Sequence, residues 1–170
     1  MPQLHEYDLD EPIFIDANIF LFHAFDDPDH GDAATDFLTT IEEGRVRGVT
    51  SPLVLDEVFF KILVQEAAAE LAKPTIWNIR KALEDPAFAQ RVNVPVRKYK
   101  AYLESLLLLG LDVPEMTASI MFAAADIVAD TGLLITDASH VALMRDKGIT
   151  HIASDDDDFV SIPDLTLWKP

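Results

Sequence analysis

The chain has 170 residues, with thirteen Lys and Arg against thirty Asp and Glu and a formal net charge of −17. That length can bury a real core, and the 49% apolar content excludes a disordered acidic tail. The charge argues against broad adhesion to nucleic acid or anionic lipid. The absence of Cys excludes disulfide frameworks, zinc–thiolate sites and Cys nucleophiles.

The first element in chain order is the apolar run Ile13-Phe14-Ile15, opened by Pro12 and ended by Asp16, which reads as a buried strand. Asn18 to Phe25 predicts a short helix, and Asp26 to Gly31 a loop by composition. Ala33, Ala34, Phe37, Leu38 and Ile41 recur at helical spacing before Gly44. Arg45 to Thr50 predicts a second strand. Ser51-Pro52 is a strong helix start, with Ser as N-cap and Pro at the first helical position, and that helix should run to about Ala72. Thr75 to Glu84 and Pro95 to Leu109 predict two more helices, separated by Asp85-Pro86 and Val94-Pro95. Leu111 to Val113 reads as a third strand. Thr117 caps a helix to about Thr131, and Thr136 is expected to cap another over Asp137 to Lys147. His151 to Ala153 predicts a fourth strand and Leu165 to Leu167 a short fifth. The alternation predicts an α/β three-layer sandwich on a mainly parallel sheet, one domain over residues 1–170, with a helical arm inserted between strands two and three. No apolar run approaches the roughly 18 residues of a membrane span, and the acidic start lacks a signal-peptide pattern. A cytoplasmic protein is expected.

The acids fall in a telling place. Asp16 ends strand one, Asp155 to Asp158 follow strand four, Glu57 lies two turns into the helix after strand two, and Asp137 opens its helix. In a parallel α/β sheet, strand C-termini and the N-termini of the following helices share one edge, where such folds bind ligands. Each Asp alone reads as a helix cap. Four carboxylates converging from four segments would repel, and a hard divalent cation, Mg²⁺ or Mn²⁺, removes the conflict. The run Asp155 to Val160 is not an EF-hand, because Val160 stands where Gly is needed and Thr166 where Glu is. The five His show no metal-ligand spacing and read as surface or supporting residues.

Three segments, in order, carry a resemblance. They are Ile13 to Phe20 with Asp16 and Asn18; Thr50 to Val58 with Glu57; and Thr136 to Gly148 followed by Ile152 to Phe159. On these the chain resembles PIN-domain proteins, the fold of VapC-type toxin ribonucleases and PilT N-terminus-like proteins. The resemblance implies a metal-dependent endoribonuclease using Mg²⁺ or Mn²⁺. It implies Asp16, Glu57, Asp137 and Asp156 as catalytic acids, with Asp16, Asp137 and Asp156 on the metal. It also implies supporting roles for Asn18, Ser154 and Asp158, with Phe159 setting the register of the last motif. Asp155 and Asp157 are then solvated turn residues. Asp56 and Glu57 point about 100° apart on a helix, so only one can face the pocket, and the resemblance assigns Glu57.

Partners follow the same way: an RNA substrate, a small antitoxin with a basic tail, and a homodimer. The one basic island, Arg91, Arg97, Lys98 and Lys100, is a candidate nucleic-acid contact or a solvated helix end. Two alternatives stand beside the nuclease: a binding protein of the same fold with little turnover, and a metal-dependent phosphatase acting on small phosphates.

Overall fold

The computed structural model describes all residues, 1–170. Five short strands form one sheet: β1 (Ile13–Ile15), β2 (Gly48–Val49), β3 (Leu111–Asp112), β4 (His151–Ala153) and β5 (Thr166–Trp168). Their order is β3-β2-β1-β4-β5, and every neighbouring pair is parallel. β1 is the centre of the sheet, and its three residues are fully buried, as expected of a strand covered on both faces. Gly48 of β2 is crowded, since a Cβ there would lie 2.8 Å from Ile15 Cδ1. A side chain there would have to displace the ends of Ile15, Ile41 and Leu111, so the glycine lets β2 pack closely on the core.

Eight helices connect the strands: α1 (Ala17–Ala24), α2 (Gly31–Glu42), α3 (Pro52–Glu70), α4 (Ile76–Ala82), α5 (Pro86–Val92), α6 (Val94–Leu109), α7 (Ala118–Thr131) and α8 (Ile135–Lys147). Packing links α1 to α2 and α3, and α6 to α2 and α3, while α7 and α8 pack as a pair. These groups flank the sheet, giving the three-layer α/β sandwich that the alternation predicts. The inserted arm is real but is partly core. Val54, Val58 and Ile62 of α3, and Tyr99, Leu103 and Leu106 of α6, join the main hydrophobic cluster. Only the arm's tip is separate, with Ala67, Ile79, Phe88 and Val92 forming their own small core. No single helix is long and apolar enough to cross a membrane.

Several boundaries differ from expectation for local reasons. Asp85-Pro86 is not a spacer but a helix start: Asp85 accepts from Ala87 N–H at 3.0 Å, and Pro86 sits in the first turn of α5. β2 is confined to two residues, because the N–H groups of Arg45 and Val46 donate back to Thr40 O and close the end of α2. Thr136 does not cap α8. The helix begins at Ile135, with Leu134 as an extended N-cap whose carbonyl accepts from Ala138 N–H at 2.9 Å. Buried Leu133 anchors the short link from Gly132, a left-handed C-cap of α7, and that sets the start. Asp137 remains in the first turn of α8. The fifth strand lies one residue later than the hydropathy suggests, pairing His151 with Thr166 and Ala153 with Trp168.

Candidate active site

The strand order builds the site. From β1 the chain moves outward to β2 and β3, then returns to the other side of β1 for β4 and β5. The switch point lies between β1 and β4, where a crevice opens at the strand C-termini. Register pairs Ile15 with Ala153, so the residues that follow, Asp16 and Ser154, emerge side by side.

Asp16 is only 8% exposed and caps α1. Its Oδ1 accepts from Ala17 N–H at 2.7 Å. Its Oδ2 accepts from Asn18 Nδ2 at 2.7 Å and from Ser154 Oγ at 2.6 Å. Asn18 also reaches the β4 turn, where its Oδ1 accepts from Asp155 N–H at 3.1 Å. Ser154, fully buried, in turn accepts from Asp156 N–H at 3.0 Å. A chain of donors thus locks the first acid to the last acidic turn. Burial is the main reason the Asp16 carboxyl is pushed up to about 6; the Ser154 and Ala17 hydrogen bonds oppose the rise, and the nearby charges of Glu57 and Asp137 add to it.

The four-Asp run resolves into two directions. Asp156 caps a 3-10 turn, Asp157–Ser161, by accepting from Asp158 N–H at 2.8 Å. Carboxylate oxygens of Asp137, Asp156 and Asp158 all come within 4.8 Å of one another. Asp155 and Asp157 instead pair with Lys169, at 3.5 and 2.8 Å. The Asp137 carboxyl is raised above its usual range, first by burial and then by the charges of Asp156, Asp158 and Glu57.

Glu57 lies between these groups electrostatically, since its charge acts on both Asp16 and Asp137. Val54, Val58 and Ile62 mark the core face of α3. Asp56 lies about 160° from Val58 around the helix and is exposed; Glu57 lies about 100° away and is half-buried on the flank. Lys61, one turn on, sits 3.5 Å from Glu57.

The tight oxygen triplet therefore contains Asp137, Asp156 and Asp158, with Asp16 outside it. Asp16 is held by three donors at the base of the crevice, whereas Asp158 is swung inward by the 3-10 turn. Of the basic island, Arg91 is paired with Glu70 at 3.0 Å and Lys100 with Glu104, acids that lie outside the island in sequence. Arg97 and Lys98 are exposed and have no carboxylate partner.

Of the five His read as surface or supporting residues, His140 falls on the supporting side. It is 1% exposed, on the fully buried middle of α8, with its ring 5.2 Å from that of Phe14. Ser51 Oγ, which accepts from Val54 N–H to cap α3, lies 3.2 Å from His140 Nδ1 and shares a hydrogen bond with it whose direction follows the ring tautomer. Burial drives the imidazole pKa down to about 4, so the ring that makes this bond is neutral near pH 7. His140 ties the start of α3, which carries Glu57, to α8, which carries Asp137. Thr50, also fully buried, donates to Ile15 O at 2.8 Å and closes the β1–β2 edge. Neither polar residue has a spacing signal in the sequence.

A parallel sheet in the order 3-2-1-4-5, with carboxylates gathered at its switch point, defines an open-sheet α/β protein, a class whose ligand sites generally lie at the strand C-termini. The PIN domain family pattern matches residues 13–165, and the chain belongs to that family. No curated protein sequence matches it. Among solved structures it is similar to Mycobacterium tuberculosis VapC20, described as a Sarcin-Ricin loop cleaving toxin. That match has a TM-score of 0.59 at 18% identity, covering 88% of this chain and 93% of that one. It is also similar to a chain of a toxin–antitoxin complex from Klebsiella pneumoniae (TM-score 0.53, 14% identity, 91% and 95% covered). A third is VapBC2 from Rickettsia felis bound to a DNA fragment from its promoter (0.53, 14%, 93% and 98%). At these identities the likeness concerns the fold.

Proposed function

We propose that the chain is a metal-dependent endoribonuclease that hydrolyses phosphodiester bonds in RNA, and that it acts as the toxin of a toxin–antitoxin pair. The carrying observation is the meeting of Asp137, Asp156 and Asp158 oxygens within 4.8 Å, beside Asp16 and Glu57, at the sheet's switch point. PIN-family membership and the VapC-like fold support the reading.

The donor set suits a hard divalent cation. It is all oxygen, it gathers several negative charges, and the Asp137 carboxyl is disfavoured as an anion by burial first and by the neighbouring charges of Asp156, Asp158 and Glu57 next, which a cation would offset. Asp137, Asp156 and Asp158 would hold Mg²⁺ or Mn²⁺, with Asp16 facing the same crevice. When bound, such an ion supplies Lewis-acid stabilisation of phosphate charge and acidifies water. The rest falls to the protein. Asn18 and Ser154 keep Asp16 in one rotamer. Asp16 Oδ1, with one acceptor site left beside Ala17, is the atom suited to take a proton from the attacking water. Glu57, whose charge acts on both Asp16 and Asp137, adds a further carboxylate.

The reading extends to one functional domain over residues 1–170, a cytoplasmic setting, and a homodimer held in check by a small antitoxin. An acidic crevice suits the basic tail of such a partner, and two of the structural neighbours come from toxin–antitoxin complexes. The test is Mn²⁺-dependent cleavage of single-stranded RNA by the purified chain. Cleavage stopped by chelation and by Asp137→Asn is expected, and full activity in that variant overturns the assignment.

A further inference from the structure

The net charge of −17 hides a reversal of sign. Residues 73–100 hold seven of the thirteen basic residues and two of the thirty acids, a local charge of +5 against −22 for the rest. This stretch spans α4, α5 and the start of α6, the tip of the inserted arm. At physiological salt, charges more than about 8 Å apart are largely screened, so a polyanion meeting this tip senses the tip and not the whole molecule.

One face of α4 stands out. Trp77, Arg80, Lys81 and Glu84 fall at i, i+3, i+4 and i+7 and line one shallow groove, while Ile79 on the other face is buried in the arm's small core. Trp77 is 73% exposed, and Ile76 beside it is 58% exposed. The other tryptophan, Trp168, packs edge-on against Tyr7 and donates its indole N–H to His151. Trp77 therefore leaves a large aromatic face in water and adds little to the core. Arg80 and Lys81 are exposed, and neither has a carboxylate within 4 Å, unlike Arg91 and Lys100 nearby.

We propose that the Trp77–Arg80–Lys81 face of α4 is a docking platform for single-stranded RNA, a second contact that delivers substrate to the acidic crevice. A bare aromatic ring flanked by unpaired cations matches the two things every RNA strand offers, a base face and a phosphate. In a duplex the bases are already stacked, so an isolated ring selects unpaired strand. The separation calls for a strand rather than a dinucleotide. α4 packs through Ile79 near Ala67 of α3, ten residues past Glu57, or about 15 Å along the helix axis, and Trp77 lies on the far face of α4, farther by up to about 10 Å. A strand of several nucleotides is needed to touch both places. The platform rests on the ribonuclease reading for its purpose, though not for its binding chemistry.

The test uses the full chain. A fluorescent single-stranded oligoribonucleotide of about 12 nucleotides, within the usual span of one such site, is titrated in EDTA and followed by anisotropy. Trp77→Ala, and separately Arg80→Glu with Lys81→Glu, should each weaken binding about tenfold or more, with circular dichroism unchanged. Tryptophan fluorescence should be quenched on binding in the wild type and not in Trp77→Phe. With Mn²⁺, Trp77→Ala should lower kcat/KM for the long substrate but not for a dinucleotide. Unchanged affinity in both variants overturns the platform while leaving the nuclease reading intact. Binding that depends on Trp77 without any cleavage by the wild type supports the platform and sinks the nuclease reading. Loss of a dimer in Trp77→Ala, with RNA affinity unmoved, gives the face to a second copy and also overturns the proposal.

Discussion

Ser154 Oγ donates a 2.6 Å hydrogen bond to Asp16 Oδ2, joining two residues 138 positions apart in the chain. The same hydroxyl accepts from Asp156 N–H at 3.0 Å, so one buried atom orients an acid on each side of the crevice. Removing it should cost both. Ser154→Ala is expected to reduce RNA cleavage by about 10- to 100-fold, the usual effect of losing a residue that orients a metal-site carboxylate. Ser154→Thr keeps the hydroxyl and should retain more activity than Ser154→Ala. Equal rates in the two variants would show that the hydroxyl does not matter.

The carboxylates themselves should be less forgiving. Asp16→Asn and Asp137→Asn are expected to abolish Mn²⁺-dependent cleavage with unchanged circular dichroism. In Asp16→Asn, an amide N–H₂ would face donors that the carboxylate accepts, from Asn18 and Ser154. Glu57→Gln should lower the rate by ~10²-fold or more, while Asp56→Asn, on the solvent side of α3, should leave it near wild type. Parallel rate measurements decide, and a larger loss from Asp56→Asn than from Glu57→Gln would reverse the assignment.

The acidic turn makes a sharp prediction for calorimetry. Asp156→Asn and Asp158→Asn should weaken Mn²⁺ binding by at least about tenfold. Asp155→Asn and Asp157→Asn, which instead free Lys169, should leave it unchanged. The same contrast is visible in melting, since a ligand present at ~100 times its Kd adds about 2.7 kcal/mol of stability. An equal effect from all four substitutions would mean that the turn acts only through its total charge.

His140 predicts a pH signature. Its folded pKa of about 4 lies below the ordinary value of 6.5. Between these values the unfolded chain binds the extra proton and the folded chain does not, so stability rises with pH. The buried neutral ring's share is fully present above about pH 6.5. It is lost as pH falls toward 4, by a total of about 3 kcal/mol. Asp16 and Asp137, whose carboxyls are raised, act in the opposite sense as they take up protons. The difference between wild type and His140→Gln isolates the imidazole. Urea denaturation from pH 7.5 to 4.5 should show a steeper fall in the wild type; parallel curves would refute the buried neutral ring.

Much of the architecture is legible in local signals. Ile13 to Ile15 are apolar without a break because β1 is covered on both faces, and Ser51-Pro52 starts α3 as capping chemistry requires. The Asp156 and Asp158 register is legible because Phe159 is the first apolar residue after the acidic run and the large aromatic one, and its burial fixes how the turn winds. His140 was hidden because its partners, Ser51 and Phe14, are remote in sequence. The Arg91 pairing was hidden for the same reason, since Glu70 lies 21 residues away at the end of α3, whereas Lys100 and Glu104 form an i,i+4 pair on α6 of the kind helical spacing allows.

The sequence by itself determined the alternation of strands and helices, the acids at strand ends, and the family to which they point, because those features are periodic, local or motif-bound. Only the tertiary structure decided which carboxylates share a crevice. That depends on the β1–β4 switch point, on the 3-10 turn that sends Asp158 inward and Asp157 to Lys169, and on the donors that hold Asp16 at the base. Side-chain direction is set by packing among distant segments, and a linear pattern does not carry that information.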